Sequence, residues 1–247
     1  MSSVRQFFIS PDHISNDQVT LRGQDVTHIR TVLRLKPGDN IYVMDGIGNR
    51  YCVCLTHIQR EEVLGKILSK DDVGTQSPLT IHMGQALLKG NKFDDIISKA
   101  VELGVHSLTP LITERCVVKL KPIDLAKKSV RWQKIALEAA KQCRRTVVPV
   151  VETGQFLDAF FQKCKEHELK IMFWENEKAT RIKNLAVQKS PGNVAVVIGP
   201  EGGFTEAEVK MAQEYGFKIV SLGPRILRAE TAPIAVLAIL QNLYGDL

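Results

Sequence analysis

Two stretches in the last quarter of the chain combine glycine with charge: Gly-Pro-Glu-Gly-Gly at 199–203 and Gly-Pro-Arg-Ile-Leu-Arg-Ala-Glu at 223–230. The first holds Glu201; the second holds Arg225, Arg228 and Glu230. A carboxylate can take a proton, and a guanidinium can stabilise an anion as it develops, so the residue types suit proton removal with electrostatic assistance. Glycines ahead of a helix also expose backbone N–H groups and the helix's positive end to a ligand. The first stretch is neither GxGxxG nor GxxxxGK[ST], and it has no lysine for a terminal phosphate. Glu201 would put negative charge against a polyphosphate, which makes a nucleotide-hydrolysing enzyme a poor fit. A neutral or cationic small molecule fits better. A tight turn made for packing is the other reading of either loop taken alone.

The flanking residues predict the elements that hold these loops. NVAVVIG is a buried strand, Thr205 is a helix N-cap, and Glu208 three residues on completes a capping box. KIVSLG is a strand ended by Gly223 and Pro224, after which Thr231 caps an apolar helix reaching Tyr244, with Pro233 in its first turn. Upstream, LTIHMGQAL is a strand leading into the helix KGNKFDDIISKAVELG. That helix carries Phe93, Ile96, Ile97, Ala100 and Val101 on one face and Gly104 at its C-terminal cap. HSLTPLIT and KIMFWE are further strands, and helices are expected from about Asp124 to Arg144 and around Phe156 to Lys165. Strand and helix in alternation predict an α/β domain with a parallel sheet, and both loops then open at the carboxyl ends of their strands, where ligand crevices form.

The first 70 or so residues differ. VRQFFIS, DNIYVMDG, RYCVCLTHI and EVLGKIL read as short strands, separated by turn signals in LKPGDN and DGIGN, which predicts a small β-barrel. One helix interrupts them, Asp25 to Leu35, with Val26, Ile29, Val32 and Leu33 at helical spacing. Arg30 and Arg34 would then lie one turn apart on one face, available to phosphate or simply solvated. SKDDVGTQSP, polar and Gly/Pro-containing, marks the domain boundary, giving domains 1–72 and 73–247.

The net charge of +6 and a pI near 9.0 suggest a polyanionic partner. Residues 1–76 hold nine Lys/Arg against nine Asp/Glu, whereas 88–150 hold thirteen against six, so the excess lies mid-chain. The five cysteines are odd in number and scattered, which suits reduced thiols. The six histidines form no HxH or HExxH pattern, so no metal is expected. No apolar run approaches the roughly 18–20 residues that span a bilayer, and MSSVRQFFISPDH is unlike a secretory signal. The protein is expected to be cytoplasmic.

IGPEGGFTEAEV followed by LGPRILRAETA resembles the SPOUT, or trefoil-knotted, RNA methyltransferases, and in particular the 16S rRNA uridine-N3 methyltransferases. GQALLKGNKFDDIISKAVELGV, TPLITERCVVK, WQKIALEAAKQC and the C-terminal GDL are similar to that family as well. The resemblance implies a PUA-like RNA-binding barrel at 1–72, a SPOUT methyltransferase domain with a C-terminal trefoil knot at 73–247, S-adenosylmethionine as cofactor, and a homodimer. It implies N3 methylation of uridine 1498 in the small subunit's 16S rRNA. Ribose 2′-O or guanine-N1 methylation is the nearest alternative, and a non-catalytic rRNA-binding assembly factor is one of a different class.

Carried over by position, Ile198, Gly199, Pro200, Glu201, Gly202 and Gly203 form the first cofactor loop. Leu222, Gly223, Pro224, Arg225 and Leu227, with Glu230, Thr231 and Ala232, form the knot loop. Phe173 and Glu175 supply a third wall. Glu230 and Glu201 are candidate bases, Arg228 or Arg225 a candidate stabiliser of a uridinate, and Arg115, Lys119 and Arg145 align with basic positions that meet RNA. The chain departs from the family pattern at Lys141 and Arg144, which make that surface more basic, and at Ala229, where threonine is usual.

Overall fold

A computed structural model describes residues 5–71, 74–118, 122–185 and 190–247. The predicted boundary at 72/73 and Lys119 lie outside the described residues. The chain forms two compact units, one of Met1–Gln76 with Ala140–Val148, the other of Ser77–Ala139 with Pro149–Leu247.

The first unit is a six-stranded sheet built from β1 (Gln6–Phe8), β2 (Ile14–Ser15), β3 (Gln18–Arg22), β4 (Asn40–Met44), β5 (Arg50–Ile58) and β6 (Glu62–Asp71). Its order is β1-β4-β5-β6-β3-β2, antiparallel except for the parallel β1–β4 pair, and it curls as a half-barrel. Alternate residues point to one face and bury Val19, Leu21, Ile41, Val43, Val53, Leu55 and Val63. Strands β2 and β3 were not among those expected from sequence, although Val19 and Leu21 alternate as a half-buried strand should.

The helical insertion differs from its expectation. An α-turn, α1 (Gln24–Thr27), runs into a π-turn at His28–Val32, where the Leu33 N–H reaches back to the His28 carbonyl at 2.9 Å. The extra residue in the turn rotates the positions C-terminal to it about the helix axis. Val26 and Ile29 are buried as expected, but Val32 is 68% exposed and Leu35 takes the buried place. Arg34 leaves the helix with φ +52°. Arg30 and Arg34 therefore do not share a helical face.

The second unit centres on seven parallel strands: β7 (Thr80–Ala86), β8 (Ser107–Ile112), β9 (Val150–Val151), β10 (Gln155–Phe156), β11 (Leu169–Phe173), β12 (Asn193–Ile198) and β13 (Lys218–Val220). The order is β10-β8-β7-β12-β11-β13, with β9 also on β8. The predicted strands match five of these; the two-residue β9 and β10 carry no periodicity to read. The helices are α2 (Lys92–Glu102), α3 (Pro122–Cys143), α4 (Leu157–Lys163), α5 (Glu206–Glu214) and α6 (Ala232–Tyr244).

All five apolar residues named for α2 are buried, and Gly104 ends that helix with φ +79°. Trp132 of α3 packs against Phe93 with ring centroids 4.6 Å apart and planes inclined by 43°, and it donates its indole N–H to Asp94 at 2.9 Å. Gln241 of α6 is fully buried and donates to the Leu103 and Gly104 carbonyls at 3.2 and 3.4 Å, satisfying groups left free where α2 stops.

Candidate functional site

Strands β7, β12, β11 and β13 are adjacent, and the chain leaving their carboxyl ends encloses a cavity of about 580 Å³. That volume is in the range of small-molecule sites. The two loops singled out from sequence face each other across it, with Phe173 and Glu175 as the third wall. Every position carried over to the cofactor is on the lining except Thr231, which is exposed and outside it. Arg228, Lys92, Trp174, Ser221, Ile226 and Ala229 line it in addition.

The first loop is fixed largely by the protein itself. The Gly203 N–H closes a turn on the Pro200 carbonyl at 3.0 Å, and Gly203 has φ +68°. A Cβ there would fall 1.9 Å from a Glu175 carboxylate oxygen. Positions 199 and 202 are crowded too, by the buried Phe204 ring at 3.1 Å and by Arg115 at 3.1 Å from the place of a Cβ. The glycines thus admit protein neighbours as well as facing the cavity. The capping box forms as predicted: Thr205 Oγ1 accepts from the Glu208 N–H and Glu208 accepts from the Thr205 N–H. The other Glu208 oxygen accepts from the Glu114 N–H at 2.8 Å.

The second loop is more open. Gly223 has φ +133° with nothing near its missing side chain, and Ile226 is 84% exposed. The Ser221 hydroxyl accepts from the Gly223 N–H at 3.1 Å. Thr231 stands at the N-cap position of α6, but its backbone is already helical and its side chain makes no cap bond, contrary to expectation. An N-cap side chain reaches its N–H partner from an extended residue. Here the Arg228 carbonyl takes the Thr231 and Ala232 N–H groups instead, at 2.9 and 3.0 Å.

The carboxylates meet at Lys92, the first residue of α2. Its ammonium is 3.1 Å from Glu230 Oε2 and 3.8 Å from Glu201 Oε1, and Glu201 also accepts from the Lys89 N–H at 3.2 Å. Glu230 is held below its ordinary carboxylate range, by its own backbone N–H first, then by the Lys92 hydrogen bond and charge, with Arg228 adding to it. Sequence reasoning missed Lys92. The available signal was a lysine opening a helix, where the macrodipole disfavours a cation unless something anionic is beside it.

Two residues expected to meet RNA are otherwise engaged. Arg115 is exposed but donates to the Gly202 and Phe204 carbonyls at 3.0 and 3.3 Å, bracing the first loop. Arg145 is only 5% exposed and donates to Gln76 at 3.1 Å, so it is an interior residue of the first unit and not a surface cation. The β-bridge between Ile47 and Val147 explains the burial, since it builds residues 140–148 into that unit. Among the described residues no group of three His, Cys, Asp or Glu side chains is placed to hold a metal ion, and no helix is long and apolar enough to cross a membrane.

The RNA methyltransferase domain family matches residues 75–241, and the PUA domain family of RNA methyltransferases matches 21–68. Ribosomal RNA small subunit methyltransferase E of Buchnera aphidicola from Schizaphis graminum is 35% identical over 94% of this chain and 93% of its own length. The protein of that name from Bacillus subtilis is 33% identical over 92% of each. Among solved structures, ribosomal RNA small subunit methyltransferase E from Neisseria gonorrhoeae, bound to S-adenosyl methionine, is 34% identical, with a TM-score of 0.88 over 99% of each chain. Two matched domains in the same order and relatives aligned almost end to end place this chain in the ribosomal RNA small subunit methyltransferase E family.

Proposed function

We propose that this protein transfers the methyl group of S-adenosylmethionine to uracil N3 of uridine 1498 in 16S rRNA of the small ribosomal subunit. The observation that carries the reading is the cavity itself, walled by both family loops at the carboxyl ends of four adjacent parallel strands. Its residues suit the cofactor: Ile198, Leu222 and Leu227 offer apolar surface, and the carboxylates of Glu201 and Glu230 suit a cationic sulfonium. Bound there, S-adenosylmethionine supplies an electrophilic methyl group and needs no metal to do so.

The chain must align N3 with that methyl and manage the N3 proton. Glu230 is anionic at neutral pH and accepts that proton as N3 bonds to the methyl carbon, while Arg228 stabilises the charge developing on the uracil. Glu201, tied to the Lys89 N–H and to Lys92, holds the first loop. Alignment supplies much of the rate. Residues 1–72 serve as the RNA-binding domain, with Arg30 and Arg34 exposed on it. Residues 73–247 are the methyltransferase domain, threaded at its C-terminus into a trefoil knot.

The protein works in the cytoplasm as a homodimer. The partly exposed Ile234, Ala235, Ala238 and Ile239 of α6, with Leu243 at 48% exposure, support the second copy. Light scattering giving a monomer mass would sink the dimer. Nucleoside mass spectrometry of 16S rRNA from cells with and without the gene tests the activity; unchanged 3-methyluridine would overturn it.

A further inference from the structure

We infer that Lys92 is a positioning residue that clamps the two cofactor loops together from outside both of them. Its ammonium is shared between a carboxylate of each loop, Glu230 at 3.1 Å and Glu201 at 3.8 Å, and its own helix comes after β7, a strand that contributes neither loop. Glu201 is further tied to the Lys89 N–H just ahead of α2, so the start of that helix grips the first loop twice and the second once. A lysine in the first turn meets the positive end of the helix dipole, a cost that Asp94 and Asp95 in the same turn offset only in part. Asp94 is occupied elsewhere, by Trp132 and Arg131. Lys92 pairs with both loops and lines the cavity they enclose.

The clamp does two things. It makes the separation of the loops, and with it the shape of the cavity, depend on a third strand connection. Lys92 also adds to the effect of Glu230's own backbone N–H in favouring the charged carboxylate, the form from which the proposed proton transfer starts. The second effect rests on the methyltransferase reading; the first does not.

The test is Lys92→Met, with Lys92→Arg as the conservative variant, measured by hydrogen exchange of the free protein and by calorimetric titration with S-adenosylmethionine. Lys92→Met is expected to quicken exchange in both 198–205 and 221–231 and to weaken cofactor binding about five- to tenfold, the scale of two partly exposed ion pairs. Lys92→Arg is expected to restore most of each. In a cycle with Glu230→Gln the two affinity losses are expected to be less than additive. Unchanged exchange in both loops, or a change in one loop only, would overturn the clamp. Wild-type protein that leaves 16S rRNA unmethylated while its loops respond as described would defeat the functional reading and leave the clamp standing.

Discussion

The two junctions that wall the cavity share a plan, strand to Gly-Pro loop to helix, but they are held by different means. After β12 the loop is packed on the protein: Phe204 is buried, Arg115 and Glu175 crowd the glycines, and Thr205 with Glu208 closes a full capping box. After β13 the loop is more open: Ile226 is exposed, a side chain added at Gly223 would meet nothing within 4 Å, and α6 starts without a side-chain cap. One wall is a fixed template. The other is held by fewer contacts, among them the Lys92–Glu230 pair. A site built this way can keep one side of a ligand in register while the other side closes on it.

Substitutions can break or sharpen that contrast. Phe204→Ala should cost the most, about 3–5 kcal/mol in urea unfolding, because a fully buried ring leaves a cavity behind. A loss under about 1 kcal/mol would mean the first loop is not packed as described. Gly203→Ala should cost about 1–3 kcal/mol from its left-handed backbone. Adding Glu175→Ala should return part of that stability by removing the collision, and Gly223→Ala should find no such relief. Thr205→Ala should cost about 1 kcal/mol, the worth of a working N-cap. Thr231→Ala, at the equivalent position, should stay within about 0.5 kcal/mol, and equal thermal shifts for the two threonines would erase the difference between junctions. Smallest of all, Ile226→Ala should leave chemical stability within about 0.5 kcal/mol while any effect appears in ligand titration.

How much of the fold and the site was legible in the sequence depended on whether the information was local. The capping box at Thr205, the buried face of α2 and the long parallel strands are written in spacings of two, three and four residues, and they stand where the spacing put them. The pairing of the two loops was legible because each comes after a strand in the same sheet. Among the features that escaped, three show why. The π-turn at His28 inserts a residue that no periodicity announces, and it moved Val32 and Arg34 off the expected face. Arg145 was expected to meet RNA because it aligns with a basic position of the family, but burial depends on contacts across a long stretch of chain. Lys92 is far in sequence from both carboxylates it joins, so only the sheet order, which sets β7 beside β12, brings them together.

The bridge between Ile47 and Val147 has a meaning in time as well as in space. A chain is made from its N-terminus, and domains commonly settle in that order as they emerge. Here the first unit includes residues 140–148, so it is still short of a component after its first 76 residues have been made. The half-barrel must wait through more than sixty intervening residues, including most of α3, before the strip that covers Gly46 and Gly48 arrives. The two units are distinct as bodies, but in biosynthesis the earlier one is completed only after much of the later one has been made.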